Sequence, residues 1–223
     1  MFVKVCGTTN EEDALLAVAM GADAVGFVFA PSPRQVSMDE VGHIVHRLPR
    51  EILTVGVFKD ESAERVVQLV HGAGLQAAQV HGGTAEDTRW IRERVPTVFK
   101  VFAAGDPAVR RAREYGADAV LVDNPRPGSG QVFDWSLAED VPGGLRLVLA
   151  GGLSPDNVAD AIATVHPWGV DVCTGVEASP GRKDPRRVRA FVAAAREAAP
   201  AVDPDGEAAT DDGEHPYDWR EDG

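Results

Sequence analysis

The sequence predicts an α/β fold: a single (β/α)8 barrel over residues 1–199, followed by a disordered acidic tail over 200–223. Three observations predict it. Short apolar runs alternate with amphipathic segments along the whole body, which implies parallel βαβ units. The string Gly21-Ala22-Asp23-Ala24-Val25 recurs as Gly116-Ala117-Asp118-Ala119-Val120, and Gly169-Val170-Asp171-Val172 echoes it. In the first two, Gly ends a helix, a short turn follows and a strand begins. Finally, the C-terminal stretch is rich in Asp, Glu, Ala, Pro and Gly and nearly devoid of β-branched residues. It buries too little apolar area to offset its ordering entropy.

Each element follows in turn. The first strand is Phe2–Val5, with Lys4 inside an otherwise apolar run. A helix near 11–20 stops at Gly21, and Ala24–Phe29 is the second strand. A helix near 38–47 leads to the third strand, Leu53–Phe58, and one near 61–72 leads to the fourth, Ala77–Val80. A helix near 84–94 precedes the fifth strand, Val98–Phe102, and one near 106–115 ends at Gly116 before the sixth, Ala119–Val122. A shorter helix starts near Trp135, then comes the seventh strand, Leu145–Leu149. Ser154-Pro155 places a capping side chain before a proline at the first helical position, so a helix is expected over 154–164. Val170–Cys173 is the eighth strand, and Asp184-Pro185 repeats the start signal for a helix over 185–198. A complete set of eight units in this length makes a TIM barrel. The rival, an open doubly wound sheet, usually has five or six strands and a Gly-x-Gly-x-x-Gly turn after the first strand. Here that strand runs into Cys6-Gly7-Thr8-Thr9-Asn10.

Charge and cysteine content narrow the function classes. Net charge is −13, and the stretch 200–223 carries nine acidic residues against Arg220 alone, so −8 of it lies there and −5 in the body. An acidic body argues against a nucleic-acid surface. The two cysteines, Cys6 and Cys173, are no disulfide framework. No apolar run reaches membrane-span length, and Lys4 is followed by Glu11, Glu12 and Asp13 rather than by a signal-peptide core. A reduced, cytoplasmic protein is expected, with no nucleic-acid or membrane partner.

Barrels of this kind carry their sites at the C-terminal ends of the strands. Those ends hold Cys6, the Ser32-Pro33-Arg34 segment, Gln79 and His81, Asp123, Gly151-Gly152 and Thr174-Gly175. Loops after strands seven and eight often hold phosphate, because glycine lets backbone N–H groups approach an anion; the bland alternative is ordinary turn glycine. Arg34 reads as a carboxylate clamp or as a solvated loop arginine. His81 reads as a ligand donor or a structural histidine more readily than as a catalyst. Cys6 and Asp123 come from strands one and six and are placed to face each other across the barrel mouth. A thiolate removes a proton and a carboxylic acid supplies one, provided the thiol shifts down or the carboxyl up toward neutrality. On residues alone, Cys6 reads equally as a small buried core thiol.

Taken together these motifs resemble the phosphoribosylanthranilate isomerase family of tryptophan biosynthesis. The likeness is carried by Lys4-Val5-Cys6-Gly7-Thr8-Thr9, Gly21 to Phe27, Ser32-Pro33-Arg34, Gln79-Val80-His81-Gly82, Phe133-Asp134-Trp135, Gly151 to Val158 and Gly175 to Asp184. It implies an Amadori rearrangement of N-(5-phosphoribosyl)anthranilate to the 1-deoxyribulose aminoketone. By resemblance, Asp123 is the general acid and Cys6 the general base. Arg34 takes the anthranilate carboxylate, Gln79 and His81 contact substrate, and Gly151, Gly152, Thr174 and Gly175 hold the phosphate. The resemblance implies no metal and no organic cofactor, a small phosphosugar as partner, and a monomer or homodimer. The chain departs from the family's Gly-Gly-Ser/Thr-Gly-Lys at Pro127-Gly128-Ser129-Gly130-Gln131, and Cys173-Thr174-Gly175 replaces Ser-Ser-Gly. Two other functions compete. A broader sugar isomerase is expected to carry a carboxylate where this chain has Cys6, and an idle phosphate-binding barrel needs neither Cys6 nor Asp123.

Two further expectations follow from the closure of the barrel, which makes strands one and eight neighbours. Lys4 and Asp171, each two residues before a cysteine, form a candidate buried ion pair. Cys6 and Cys173 become candidates for oxidation to a disulfide, subject to strict bridge geometry.

Overall fold

The computed structural model describes residues 1–126, 132–138 and 140–200. The altered loop at 127–131 and the tail from 201 onward lie outside the described residues. Eight strands close into one barrel in sequence order, every neighbouring pair parallel. They are β1 Phe2–Val5, β2 Ala24–Val28, β3 Leu53–Lys59, β4 Ala77–His81, β5 Thr97–Ala103, β6 Ala119–Asp123, β7 Leu147–Leu149 and β8 Gly169–Val172. The helices are α1 Glu11–Ala19, α2 Met38–Val45, α3 Ala63–Gly72, α4 Ala85–Arg92, α5 Val158–Val165 and α6 Pro185–Glu197. Among the described residues, no helix is long and apolar enough to cross a membrane.

The strands read as continuous apolar runs because both of their faces are covered. Val3, Val5, Val170 and Val172 belong to the layer between barrel and helices, whereas Phe2, Leu53, Val55, Phe99 and Leu121 fill the barrel interior. The two-residue period of a strand therefore puts Phe2, Lys4 and Cys6 on one inward line. The floor is aromatic: Phe2 stacks on Trp168 at 4.6 Å and on Phe99 at 6.1 Å between ring centroids. The level above it is charged, since Lys4 lies opposite Asp171 in the β1–β8 register.

Two helical expectations need correction. The 106–115 segment is a 3-10 helix, Pro107–Tyr115, kinked at Arg111; Gly116 ends it with φ 64 as the sequence expects. The start signal Ser154-Pro155 does not cap α5. Asn157 occupies that position, and its side chain turns back to accept from Ser154 N at 2.8 Å and to donate to Gly152 O at 3.0 Å. These bonds close the loop after β7 and delay the helix until Val158. The shorter helix expected near Trp135 is present, as a single 3-10 turn over Trp135–Ala138. By contrast, Asp184 does cap α6, accepting from the Arg186 and Arg187 amides. A small antiparallel hairpin after β8, β9 Glu177–Ser179 with β10 Arg182–Lys183, has no counterpart in the sequence reading.

Candidate active site

A cavity of about 220 Å3 opens at the C-terminal ends of the strands. Cys6, Arg34, Gln79 and His81 line it from one side, and Asp123, Gly151, Gly152 and Thr174 from the other. The structure thus brings together eight of the residues singled out from sequence. Gly175 is not on the cavity wall. A Cβ there would lie 2.0 Å from Leu153 O, so this glycine lets the loops after β7 and β8 touch.

Cys6 ends β1, its amide donating to Val172 O at 2.8 Å, which carries the β1–β8 ladder one step past the strand. Its thiol is buried. Burial pushes it above the ordinary thiol range, and the neighbouring Lys4 ammonium pulls the other way. Asp123 ends β6, with Oδ1 accepting from the Asn124 amide at 2.7 Å. Burial, reinforced by the Asp171 carboxylate, pushes Asp123 up to about 6. This is the environment a general acid needs near neutral pH.

Lys4 is fully buried and its Nζ lies 2.9 Å from Asp171 Oδ2, so the expected ion pair is present. The contact uses one carboxylate oxygen only, and Asp171 Oδ1 is left without a hydrogen-bond partner. Burial disfavours the lysine's charge, but Asp171 and Cys6 outweigh it and hold the ammonium protonated.

Arg34 is buried and already gripped. Its Nε and Nη2 donate to Glu177 Oε1 and Oε2 at 2.8 and 2.7 Å, a forked pair. Glu177 also accepts from Lys183 Nζ at 3.2 Å and from the Gly181 amide at 3.2 Å. Lys183 in turn donates to Cys6 O at 2.5 Å. The hairpin β9–β10 therefore ties the loop bearing Arg34 to the backbone of Cys6. Sequence reading missed Glu177 and Lys183 as site residues, although both sit in the quoted Gly175 to Asp184 segment. Their acid–base pattern was the available signal.

His81 lies 3.3 Å from Gln79 through its Nε2. Burial, with the Lys4, Lys59 and Lys100 charges, holds His81 down to about 4, so its ring is neutral near pH 7. This agrees with reading it as a ligand donor rather than an acid–base group. Gln79 is buried with Oε1 unpartnered.

Two glycines are needed for this geometry. Gly151 has φ 85, and a Cβ there would lie 2.5 Å from Asn124 N and 2.9 Å from Asp123 Oδ1. Gly26 leaves the space that Cys6 and Lys4 share: a Cβ would lie 2.8 Å from Cys6 Sγ and 3.1 Å from Lys4 Nζ. Gly26→Ala is therefore expected to displace the thiol and lower kcat by about 10²-fold, the cost of roughly 1 Å of misplacement. Steady-state kinetics check this; an unchanged kcat would show that Sγ has room to move.

Cys6 and Cys173 are free thiols. Burial pushes Cys173 up to about 12 and raises Cys6 as well. Among the described residues, no group of three His, Cys, Asp or Glu is placed to hold a metal ion.

The profile of the N-(5'-phosphoribosyl)anthranilate (PRA) isomerase family matches residues 3–194. The N-(5'-phosphoribosyl)anthranilate isomerase of Desulforudis audaxviator is 48% identical over 204 residues, covering 88% of this chain and 98% of that protein. The crystal structure of phosphoribosyl anthranilate isomerase from Thermus thermophilus superposes with a TM-score of 0.83 at 38% identity, covering 88% of this chain and 99% of that one. A phosphoribosyl anthranilate isomerase crystallised with reduced 1-(o-carboxyphenylamino)-1-deoxyribulose 5-phosphate superposes with a TM-score of 0.77 at 40% identity, covering 88% and 99%.

Proposed function

We propose, given that this chain belongs to the N-(5'-phosphoribosyl)anthranilate isomerase family, that Asp123 and Cys6 are the acid and base of its reaction. The chain is an aldose–ketose isomerase of tryptophan biosynthesis. It converts N-(5-phospho-β-D-ribosyl)anthranilate to 1-(2-carboxyphenylamino)-1-deoxy-D-ribulose 5-phosphate. The observation that carries the residue assignment is the pair of opposed environments on one cavity: a carboxyl raised toward neutrality and a thiol beside a buried ammonium.

Asp123 gives its proton to the furanose ring oxygen. The C1–O bond breaks as the anilino nitrogen donates its lone pair, leaving a protonated Schiff base at C1. Cys6, as thiolate, then takes the proton from C2. The C–H electrons form the C1–C2 double bond and the C=N electrons return to nitrogen, giving the enolamine. Transfer of the enol proton and protonation at C1 give the ketone, with no net gain or loss of protons. The Arg34 edge that Glu177 does not hold binds the anthranilate carboxylate. The loops at Gly151-Gly152 and Thr174-Gly175 hold the phosphate, and Gln79 and His81 line the space between. The catalytic unit is residues 1–199, consistent with a family match that ends at 194.

Turnover is read from the decay of substrate fluorescence, and its absence in the wild-type protein would refute the isomerase assignment. The pH profile tests the roles. The productive complex needs Asp123 protonated and Cys6 ionised, yet the raised thiol loses its proton after the carboxyl does. Between the two pKa values the productive form is a constant minor fraction, so kcat/KM is level there. It falls below pH about 6, where Asp123 is already protonated and each further proton suppresses the thiolate. It falls again above the thiol's pKa. An acid limb at pH about 6 that persists unchanged in the residual rate of Asp123→Asn would remove Asp123 from this role.

A further inference from the structure

We propose that Lys4 is a positioning residue for the base: its buried ammonium is the counter-charge that stabilises Cys6 as a thiolate. The proposal rests on the reading of Cys6 as the base and explains how a buried thiol serves as one beside an anionic substrate. Lys4 Nζ and Cys6 Sγ converge on the same face of Gly26, 3.1 and 2.8 Å from the point a Cβ would occupy. They are therefore within about 6 Å of each other, the range in which one charge governs another's ionisation. Lys4 is not consumed by its ion pair. It faces Asp171 Oδ2 at 2.9 Å in a site with no exposure, and Cys6 as well as Asp171 acts on its charge.

Lys4 and Asp171 oppose one another at Cys6. Burial raises the thiol most, Lys4 is the strongest influence lowering it, and Asp171 takes part of that benefit back. The other groups facing Cys6 are Lys183 on β10, which also lowers it, and Arg34 and Cys173, which share its electrostatic field. Asp171 anchors the lysine; Lys4 supplies the field.

The opposed signs make the test specific. In a Cys173→Ser background one thiol remains, and the rate of its alkylation by iodoacetamide as a function of pH gives the Cys6 midpoint. Lys4→Met is expected to raise that midpoint by about 1–2 pH units, and the isosteric Asp171→Asn to lower it by a smaller amount. A pair serving only the fold would move the midpoint in neither variant, or in the same direction in both, and either result overturns the proposal. Where Lys4→Met does not fold, Asp171→Asn decides alone: a lowered midpoint supports the proposal and an unchanged or raised one overturns it. Cys6→Ser in the fluorescence assay separates this from the base assignment. Full turnover there refutes the base reading, while the alkylation midpoints report the Lys4 charge independently.

Discussion

Asp123→Asn is expected to lower kcat by about 10²–10⁴-fold, the usual worth of a positioned acid, and at the same time to make the protein more stable at pH 8. The two effects have one cause. Burial and the Asp171 carboxylate favour the protonated form of Asp123 and raise it to about 6, whereas the unfolded chain ionises it near pH 4. A carboxyl raised on folding binds its proton more tightly in the native state, so stability falls as pH rises from about 4 to about 6. The penalty is complete above pH 6 and absent below pH 4. A rise of that size costs about 1–3 kcal/mol. Asparagine removes the penalty and keeps an oxygen for the Asn124 amide. Urea midpoints at pH 8 and pH 4 check this: the variant leads at pH 8 and the gap closes at pH 4. A variant less stable at both would mean the carboxylate is satisfied rather than strained. Cys6→Ser is expected to lose turnover on the same scale, because an alcohol at that position ionises far less readily than a thiol.

Lys4→Met is expected to cost about 3–5 kcal/mol of stability, because it leaves Asp171 buried without its counter-charge. The double variant Lys4→Met with Asp171→Leu is expected to recover most of that loss, since a buried pair replaced by well-packed apolar groups is often neutral. Chemical denaturation of the two variants reads the difference. A Lys4→Met midpoint equal to wild type would show that Asp171 finds water or another donor. The double variant also separates stability from chemistry: a well-folded barrel lacking the Lys4 charge remains poor at turnover if Lys4 serves Cys6.

Much of the barrel is legible because its signals are local. Gly21 and Gly116 both take positive φ, 89 and 64, where the helical segments before them stop. Asp184 caps α6 as read. The Lys4–Asp171 pair follows from strand adjacency and the inward period of two. The misreadings arise where side chains at a distance compete with local preference. Ser154-Pro155 is a sound helix start by itself, but Asn157 uses its amide to close the preceding loop and takes the capping position. Arg34 reads in sequence as a carboxylate clamp or as a solvated loop arginine, with no hint of a partner. In the fold Glu177, far along the chain, holds two of its donors, and no local pattern encodes that contact.

The barrel, its eight-unit order and the rim positions of Cys6 and Asp123 are all written in the chain. They rest on helix stops, strand period and short motifs, each set within a few residues. What these groups can do is settled only by contacts between distant segments. The raised carboxyl of Asp123, the Lys4 ammonium beside the Cys6 thiol and the Glu177 grip on Arg34 all arise from charges and burial contributed by separate strands. Ionisation depends on everything that surrounds a group after water has been excluded, and that surrounding is assembled only when the barrel closes.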